Sequence, residues 1–286
     1  MNSYREFTAE FARLLADGRK LPLGDFGPTK IPQLAPDAHR VLIFSPHPDD
    51  EVIIGGFPLR LLRERKMRVI NVAVTQGSNK ARQAERWKEL TGCCQHIGFE
   101  LVQTRPNGLE AITLKNRAEN PAQWAKAAAR IAEILTEHQP RVIFFPHDRD
   151  WNSAHIGTHH LVVAALESLD DSFNCWAVET EFWGAMDSPN LMVESSKEDV
   201  GDLLAALSFH VGEVRRNPYH VLMPAWLIDN VRRGSELVGG QGGKAPDFNF
   251  ATLYRLRRWA RGKLDYTFEG GKFASKSDDL SLLFHS

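Results

Sequence analysis

The chain is short of the features that most quickly assign a class. It has three cysteines in 286 residues, Cys93, Cys94 and Cys175. They form neither a CxxC pair nor an even set, which excludes a disulfide framework and fits a reducing, cytoplasmic setting. Cys93 and Cys94 read as helix core rather than as catalysts. Excess charge is also missing: the formal net charge is −1, so no global field draws the chain to nucleic acid or to an anionic membrane. No apolar run approaches the ~18 residues of a membrane helix. Met1 to Lys20 is charged and amphipathic, without an apolar stretch of signal-peptide type. Internal repeats and low-complexity segments are absent. Gly239-Gly240-Gln241-Gly242-Gly243 lacks the spacing and the strand–helix context of a dinucleotide or P-loop fingerprint. What the chain does have is 43% hydrophobic residues, enough for a substantial core in one large domain or two small ones.

Short apolar runs at Val41–Phe44, Val69–Val74 and Arg141–Pro146 read as buried strands. Between them lie helical patterns: Val52 to Leu62, Ala81 to Ile97 with Leu90, Cys93, Cys94 and Ile97 inward and Gly98 as C-cap, and Gln123 to His138. Leu161 to Leu169 is a further helix. This alternation predicts an α/β fold, a Rossmann-like, doubly wound, mostly parallel sheet flanked by helices. Tyr4 to Ala16 carries Phe7, Phe11, Leu14 and Leu15 at helical spacing and is expected to pack. Pro22 to Pro36 reads as a connecting loop. Beyond residue 170 the signals weaken: a strand over Cys175–Val178, a helix over Lys197–Phe209, a polar turn from Arg215 to His220, and a helix over Val221–Arg233. Tyr254 to Lys263 holds five cations and reads as a solvated helix face, with a phosphate-binding strip as the other reading.

Chemistry concentrates in two places. The first is Phe44-Ser45-Pro46-His47-Pro48-Asp49-Asp50-Glu51, a strand-to-helix turn of the kind where ligands bind in open α/β sheets. His47 and Asp50 are three apart and can converge on one point, and an imidazole with a carboxylate is an ordinary ligand pair for zinc. Asp49 is then free for proton transfer. Helix capping and dipole effects alone also favour acids there, but a histidine between two prolines is held rigidly. The second place is His147 to His160, with four of the eleven histidines and two aspartates in fourteen residues. His155 and His159, four apart on a helix, suit shared chelation; His155 with His47 and Asp50 completes a three-ligand open zinc site. Arg86 and Glu89, three apart, read by spacing as a surface pair.

Together these segments resemble the PIG-L/LmbE-like family of metal-dependent N-acetylglucosaminyl deacetylases. Pro46 to Glu51 matches its first signature in full, Arg86, Glu89 and Ile97-Gly98 match its R-x-x-E and following L-G-like pair, and His155 fits the last position of its H-x-x-H. The resemblance spans roughly residues 38 to 170. It implies that His47, Asp50 and His155 bind the metal, usually Zn2+, with iron, nickel or cobalt able to use the same ligands. It implies that Asp49 is the general base and that Arg86 helps bind substrate. At Asn152 the family's first histidine of H-x-x-H is replaced. Either Asn152 acts as an electrostatic donor to the oxyanion, or His147, His159 or His220 supplies the acid. The expectation is removal of an N-acetyl group from an N-acetylglucosamine-type sugar or conjugate. An amidase on another N-acyl amine, or a non-catalytic sugar-binding protein, is the alternative. The expected partner is a small amino-sugar conjugate, not nucleic acid or membrane; oligomeric state is open, a homo-oligomer included. Residues 1–190 are expected to form the catalytic domain. Residues 191–286 form an extension packed on it that roofs the pocket.

Overall fold

A computed structural model describes residues 2–284. In chain order the elements are α1 (Ser3–Gly18), β1 (Arg40–Ser45), α2 (Asp50–Ile53), α3 (Phe57–Arg65), β2 (Arg68–Ala73), α4 (Gln83–Ile97) and β3 (Glu100–Gln103). Then come α5 (Leu114–Glu119), α6 (Pro121–His138), β4 (Val142–Pro146), α7 (Ser153–Glu167), β5 (Cys175–Thr180) and β6 (Leu191–Glu194). Last are α8 (Lys197–Leu207), α9 (Val211–Arg216), α10 (Met223–Leu237), β7 (Ala251–Ala260), β8 (Lys263–Asp265) and β9 (Lys272–Ala274). The strands form one sheet in the order β3-β2-β1-β4-β5-β7-β6-β9, with β8 beside β7. From β3 to β5 every pairing is parallel. β7 runs against its neighbours β5, β6 and β8. No helix among the described residues is long and apolar enough to cross a membrane.

Alternation along the buried strands assigns the two faces. Val41 and Ile43 of β1 join Leu59, Leu62, Leu90, Ile97, Leu203 and Leu207 beneath α3, α4 and α8. Leu42 points the other way, with Ile131, Ile134, Leu135, Leu161 and Leu166 of α6 and α7. Both faces are covered, as a parallel sheet requires. β1 is followed in space by β2 on one side and β4 on the other. Chain order reverses between β1 and β4, so the loops leaving their C-terminal ends flank a crevice. Those loops carry His47–Asp49 and His147–Asn152.

Three expectations are corrected. The helix expected over Val52–Leu62 is two helices, broken at Gly55 and Gly56. Gly55 has φ +83°, and a Cβ there would lie 2.0 Å from Thr252 Oγ1; the break lets the turn pack against β7. Tyr254 to Lys263 is strand and hairpin, not a helix face. Arg255 and Arg257 alternate with buried Tyr254 and Leu256, a period of two that the run of charge masked. Arg255 and Arg257 both reach the buried Glu179 of β5, at 2.6 and 2.7 Å. Finally, α1 forms as expected but buries no residue: Tyr4 is 78% exposed and Phe7 68%.

Candidate metal centre and its surroundings

The crevice brings His47, Asp50 and His155 together. His47 Nδ1 lies 3.4 Å from Asp50 Oδ2. His155 Nε2 lies 3.3 Å from the same oxygen and 3.2 Å from His47 Nδ1. One tetrahedral ion with ligand bonds of ~2.0–2.2 Å needs ligand atoms about 3.3–3.6 Å apart. The three donors therefore fit a single divalent ion without rearrangement. Asp50 and His155 are buried, while the His47 side chain keeps 22% of its surface, leaving the triangle open on one side. Burial works against the charged form of Asp50, but His155 and His47 hold its carboxyl well below the usual carboxylate range. Burial likewise opposes charge on His155, yet Asp50 and Asp150 together hold it up to about 10. A group of donors that raises an imidazole this far is one that favours positive charge.

Each donor is held by its own backbone surroundings. Asp50 Oδ2 also accepts the His47 N–H at 2.8 Å, tying the two ligands into one turn. His155 presents Nδ1 to Asp150 Oδ1 at 3.5 Å. Asp150 is fixed in turn by the N–H groups of Asn152 and Gly184. A carboxylate behind a ligating imidazole sets which ring nitrogen faces the metal. Gly184 approaches so closely that a Cβ would lie 2.9 Å from Asp150 Cα, so no larger residue could hold Asp150 this way.

Asp49 sits between the ligands in a strained conformation, φ 112°, in a region that L side chains rarely adopt. Its N–H donates to Glu51 Oε2 at 2.9 Å. The other Glu51 oxygen accepts from His210 Nε2 at 2.7 Å and from the Cys93 thiol at 3.0 Å. Glu51, Cys93 and His210 thus form a second three-donor cluster, buried throughout. Asp49 Oδ2 accepts the Tyr219 hydroxyl at 2.6 Å. Burial and the neighbouring Asp50 push the Asp49 carboxyl up to about 7, against His210, Arg86 and the Tyr219 hydroxyl, which pull it down.

The remaining sequence candidates fall into place around this centre. Arg86 does not pair with Glu89. Its Nη2 donates to Pro48 O at 3.0 Å, while Glu89 accepts the Gly212 N–H at 2.8 Å. Arg86 Nε is buried without a hydrogen-bond partner. Asn152 is the N-cap of α7, its Oδ1 accepting the Ala154 N–H at 2.8 Å. His147 is bonded through both ring nitrogens, to Gly184 O and the Arg149 N–H. His159 is bonded to Pro146 O at 3.0 Å; the triangle of converging donors contains His155, not His159. His220 is buried with its Nδ1 unpartnered. Tyr219, His210 and Asp150 were not singled out by sequence reasoning. Asp150 carried a signal, five residues before His155 in the same histidine-rich turn. Tyr219 and His210 carried none, being 170 and 159 residues from the groups they bond.

A comparison with curated protein sequences finds no match. Among solved structures, N,N'-diacetylchitobiose deacetylase from Pyrococcus horikoshii superposes with a TM-score of 0.57 at 18% identity, covering 90% of this chain and 93% of that one. The conserved protein TT1542 from Thermus thermophilus gives 0.55 at 20% identity, over 75% and 93%. GalB, the 4-carboxy-2-hydroxymuconate hydratase of Pseudomonas putida, gives 0.53 at 15%, over 76% and 95%. These likenesses establish the fold, and the fold hosts more than one reaction. The sequence model of the family described as GlcNAc-PI de-N-acetylase, PIG-L, matches residues 42–166, the span from β1 to the end of α7 that holds His47, Asp49, Asp50 and His155. Over that segment, less than half of the chain, the sequence is similar to the PIG-L deacetylase family.

Proposed function

We propose that the protein is a zinc-dependent N-deacetylase acting on an N-acetylglucosamine-type sugar or sugar conjugate. The observation that carries this reading is the triangle of His47, Asp50 and His155, with edges of 3.2–3.4 Å and Asp49 beside it. The net reaction is R–NH–CO–CH3 + H2O → R–NH3+ + CH3–COO−. An ion held by the three ligands would supply Lewis acidity, lowering the pKa of a water to ~7 and polarising the amide oxygen. The chain's own groups do the rest. Asp49 accepts the proton of the attacking water and returns one to the departing nitrogen. A carboxyl lifted to about 7 is suited to both steps, since a base and acid works best near the ambient pH. The Tyr219 hydroxyl fixes which Asp49 oxygen is free to act. Asn152, with Oδ1 committed to the cap, has its amide N–H groups for the oxyanion; one such donor is worth about 3 kcal/mol in other hydrolases. Arg86, anchored on Pro48 O with its Nε 4.0 Å from Glu213 Oε1, binds the substrate's polar face. The chain beyond residue 190 supplies Tyr219 and forms the wall of the pocket over the site.

The test is acetate release from a panel of N-acetylated amino sugars by zinc-loaded protein. Wild-type turnover that is lost in Asp49→Asn, with zinc retained, supports the assignment. Full activity in that variant contradicts it. The hydratase among the structural relatives defines the second reading. Water addition to an unsaturated carboxylate by wild-type protein, without acetate release from any amino sugar, would favour it.

A further inference from the structure

A cavity of ≈ 250 Å³ lies between the loop that follows β3 and the helices α5 and α6. None of His47, Asp49, Asp50 and His155 lines it. Its loop nonetheless braces both ligand-bearing turns. Thr104 Oγ1 and the Leu109 N–H donate to Val74 O at 3.0 and 2.8 Å. The next residue, Thr75, donates through Oγ1 to Pro46 O at 2.7 Å, one residue before His47. On the other side, Ile112 O meets α7 so closely that a Cβ on Gly157 would lie 2.1 Å away.

The walls are rich in donors and poor in acceptors. Arg105 and Arg130 are each fixed through Nε, to Gly108 O at 2.9 Å and to Thr104 O at 2.8 Å. Arg130 spends Nη1 on Glu133 at 2.8 Å. Both Nη groups of Arg105 and the Nη2 of Arg130 keep no hydrogen-bond partner among the described residues, and Lys126 has no ion pair there. The single acid of the walls, Glu110, is paired with Lys80 at 3.1 Å. Asn116 has its Oδ1 taken by Asn120, which leaves only its amide N–H groups to offer. Trp124, also a wall, is 6% exposed, and its indole N–H has no acceptor. A buried indole N–H is ordinarily bonded, so this one asks for an acceptor.

A guanidinium fork matches the oxygens of an oxyanion, and a cleft lined by one sign of charge concentrates the opposite ion. Three cations on two elements suit a multiply charged, tetrahedral oxyanion better than a monoanionic carboxylate. The volume is below the ~300 Å³ at which drug-sized pockets begin, so the ligand is small. We propose that this cavity binds a phosphate group, as the free ion or on a small phosphorylated metabolite, and that the Trp124 indole N–H donates to it. The site is independent of which bond the metal centre cuts.

The test is an NMR titration of zinc-loaded protein, freed of excess metal and isotope-labelled in its tryptophans. The Trp124 indole signal is identified by its loss in Trp124→Phe. It should move downfield as inorganic phosphate is added and saturate in the millimolar range, while chloride at the same ionic strength leaves it in place. Arg105 and Lys126 are exposed, so Arg105→Ala with Lys126→Ala keeps the fold and should weaken the titration by at least about tenfold. Glycerol phosphate distinguishes the two sources: tighter titration than inorganic phosphate marks a phosphorylated metabolite as the ligand, and weaker titration marks the free ion. A Trp124 signal that no phosphate moves overturns the site. So does one that moves equally with chloride, or equally in the double variant, as it would if the phosphate were held at the metal centre.

Discussion

Two three-donor clusters adjoin at Asp50 and Glu51, and they differ in openness and in how their donors are already engaged. His47, Asp50 and His155 meet at 3.2–3.4 Å, with His47 open to the crevice. Glu51, Cys93 and His210 meet at 2.7–3.0 Å and are fully enclosed. The second set is already satisfied by protons: His210 and Cys93 donate to the same carboxylate oxygen. Burial and the adjacent Glu51 push the Cys93 thiol well above its ordinary value, so it is not a thiolate ready for a metal. The same residue types thus serve opposite ends. One cluster gathers acceptors around a space, and the other locks Glu51 so that its free oxygen can hold the Asp49 N–H in a strained backbone.

The sharpest way to break that contrast is at Asp49, which stands between the clusters. Asp49→Asn should reduce kcat/KM by about 10²–10⁴-fold, the range for a lost general base, with metal content unchanged. A variant within tenfold of wild type would remove Asp49 from the chemistry.

The next effect falls on the enclosed cluster and is one of stability. His210→Gln leaves a buried charged partner uncompensated and should destabilise the fold by about 3–5 kcal/mol in denaturant unfolding. It also has a pH signature. Burial disfavours the charged imidazole, but Glu51 outweighs it and raises the His210 pKa above the ordinary 6.5. The contribution is therefore complete below pH 6.5 and fades as pH rises through the folded-state value. The difference between wild type and His210→Gln should shrink with rising pH. A difference independent of pH would mean that the pair is not ionic.

A smaller effect sharpens the link from the extension to the base. Tyr219→Phe removes a hydrogen bond to a charged acceptor, worth about 1.5–3 kcal/mol. Because that bond favours ionised Asp49, its loss should move the acidic limb of the kcat/KM profile to higher pH. An unmoved limb with lower kcat would give Tyr219 a role outside Asp49.

The smallest effect lies away from both clusters. Burial disfavours ionised Asp148, yet Arg255 holds its carboxyl down to about 2. Its contribution to stability is present above pH 3.8 and is lost as pH falls through about 2. Asp148→Asn should flatten acid unfolding there, by well under 1 kcal/mol for a pair this exposed.

These contrasts also explain what could be read from the chain. Val41–Phe44 and Val142–Pro146 are buried on both faces, so their apolar runs announced a parallel sheet. His47 and Asp50 share one rigid turn, and their convergence was legible from spacing. His155 could be joined to them because its helix starts at the next strand's functional edge. Nothing local marked Tyr219 or His210, whose partners lie across the fold. β3 was missed because Glu100–Gln103 is a short edge strand with no fully buried residue. Tyr254 to Lys263 misled because its arginines, which neutralise buried Glu179, imitate a solvated face.

Metal stoichiometry tests the central claim most directly. Elemental analysis of zinc-equilibrated protein should find one ion per chain in wild type and in Cys93→Ala, and none retained in His155→Ala. An ion that persists in His155→Ala but disappears in Cys93→Ala would contradict the account, placing the metal in the enclosed cluster instead.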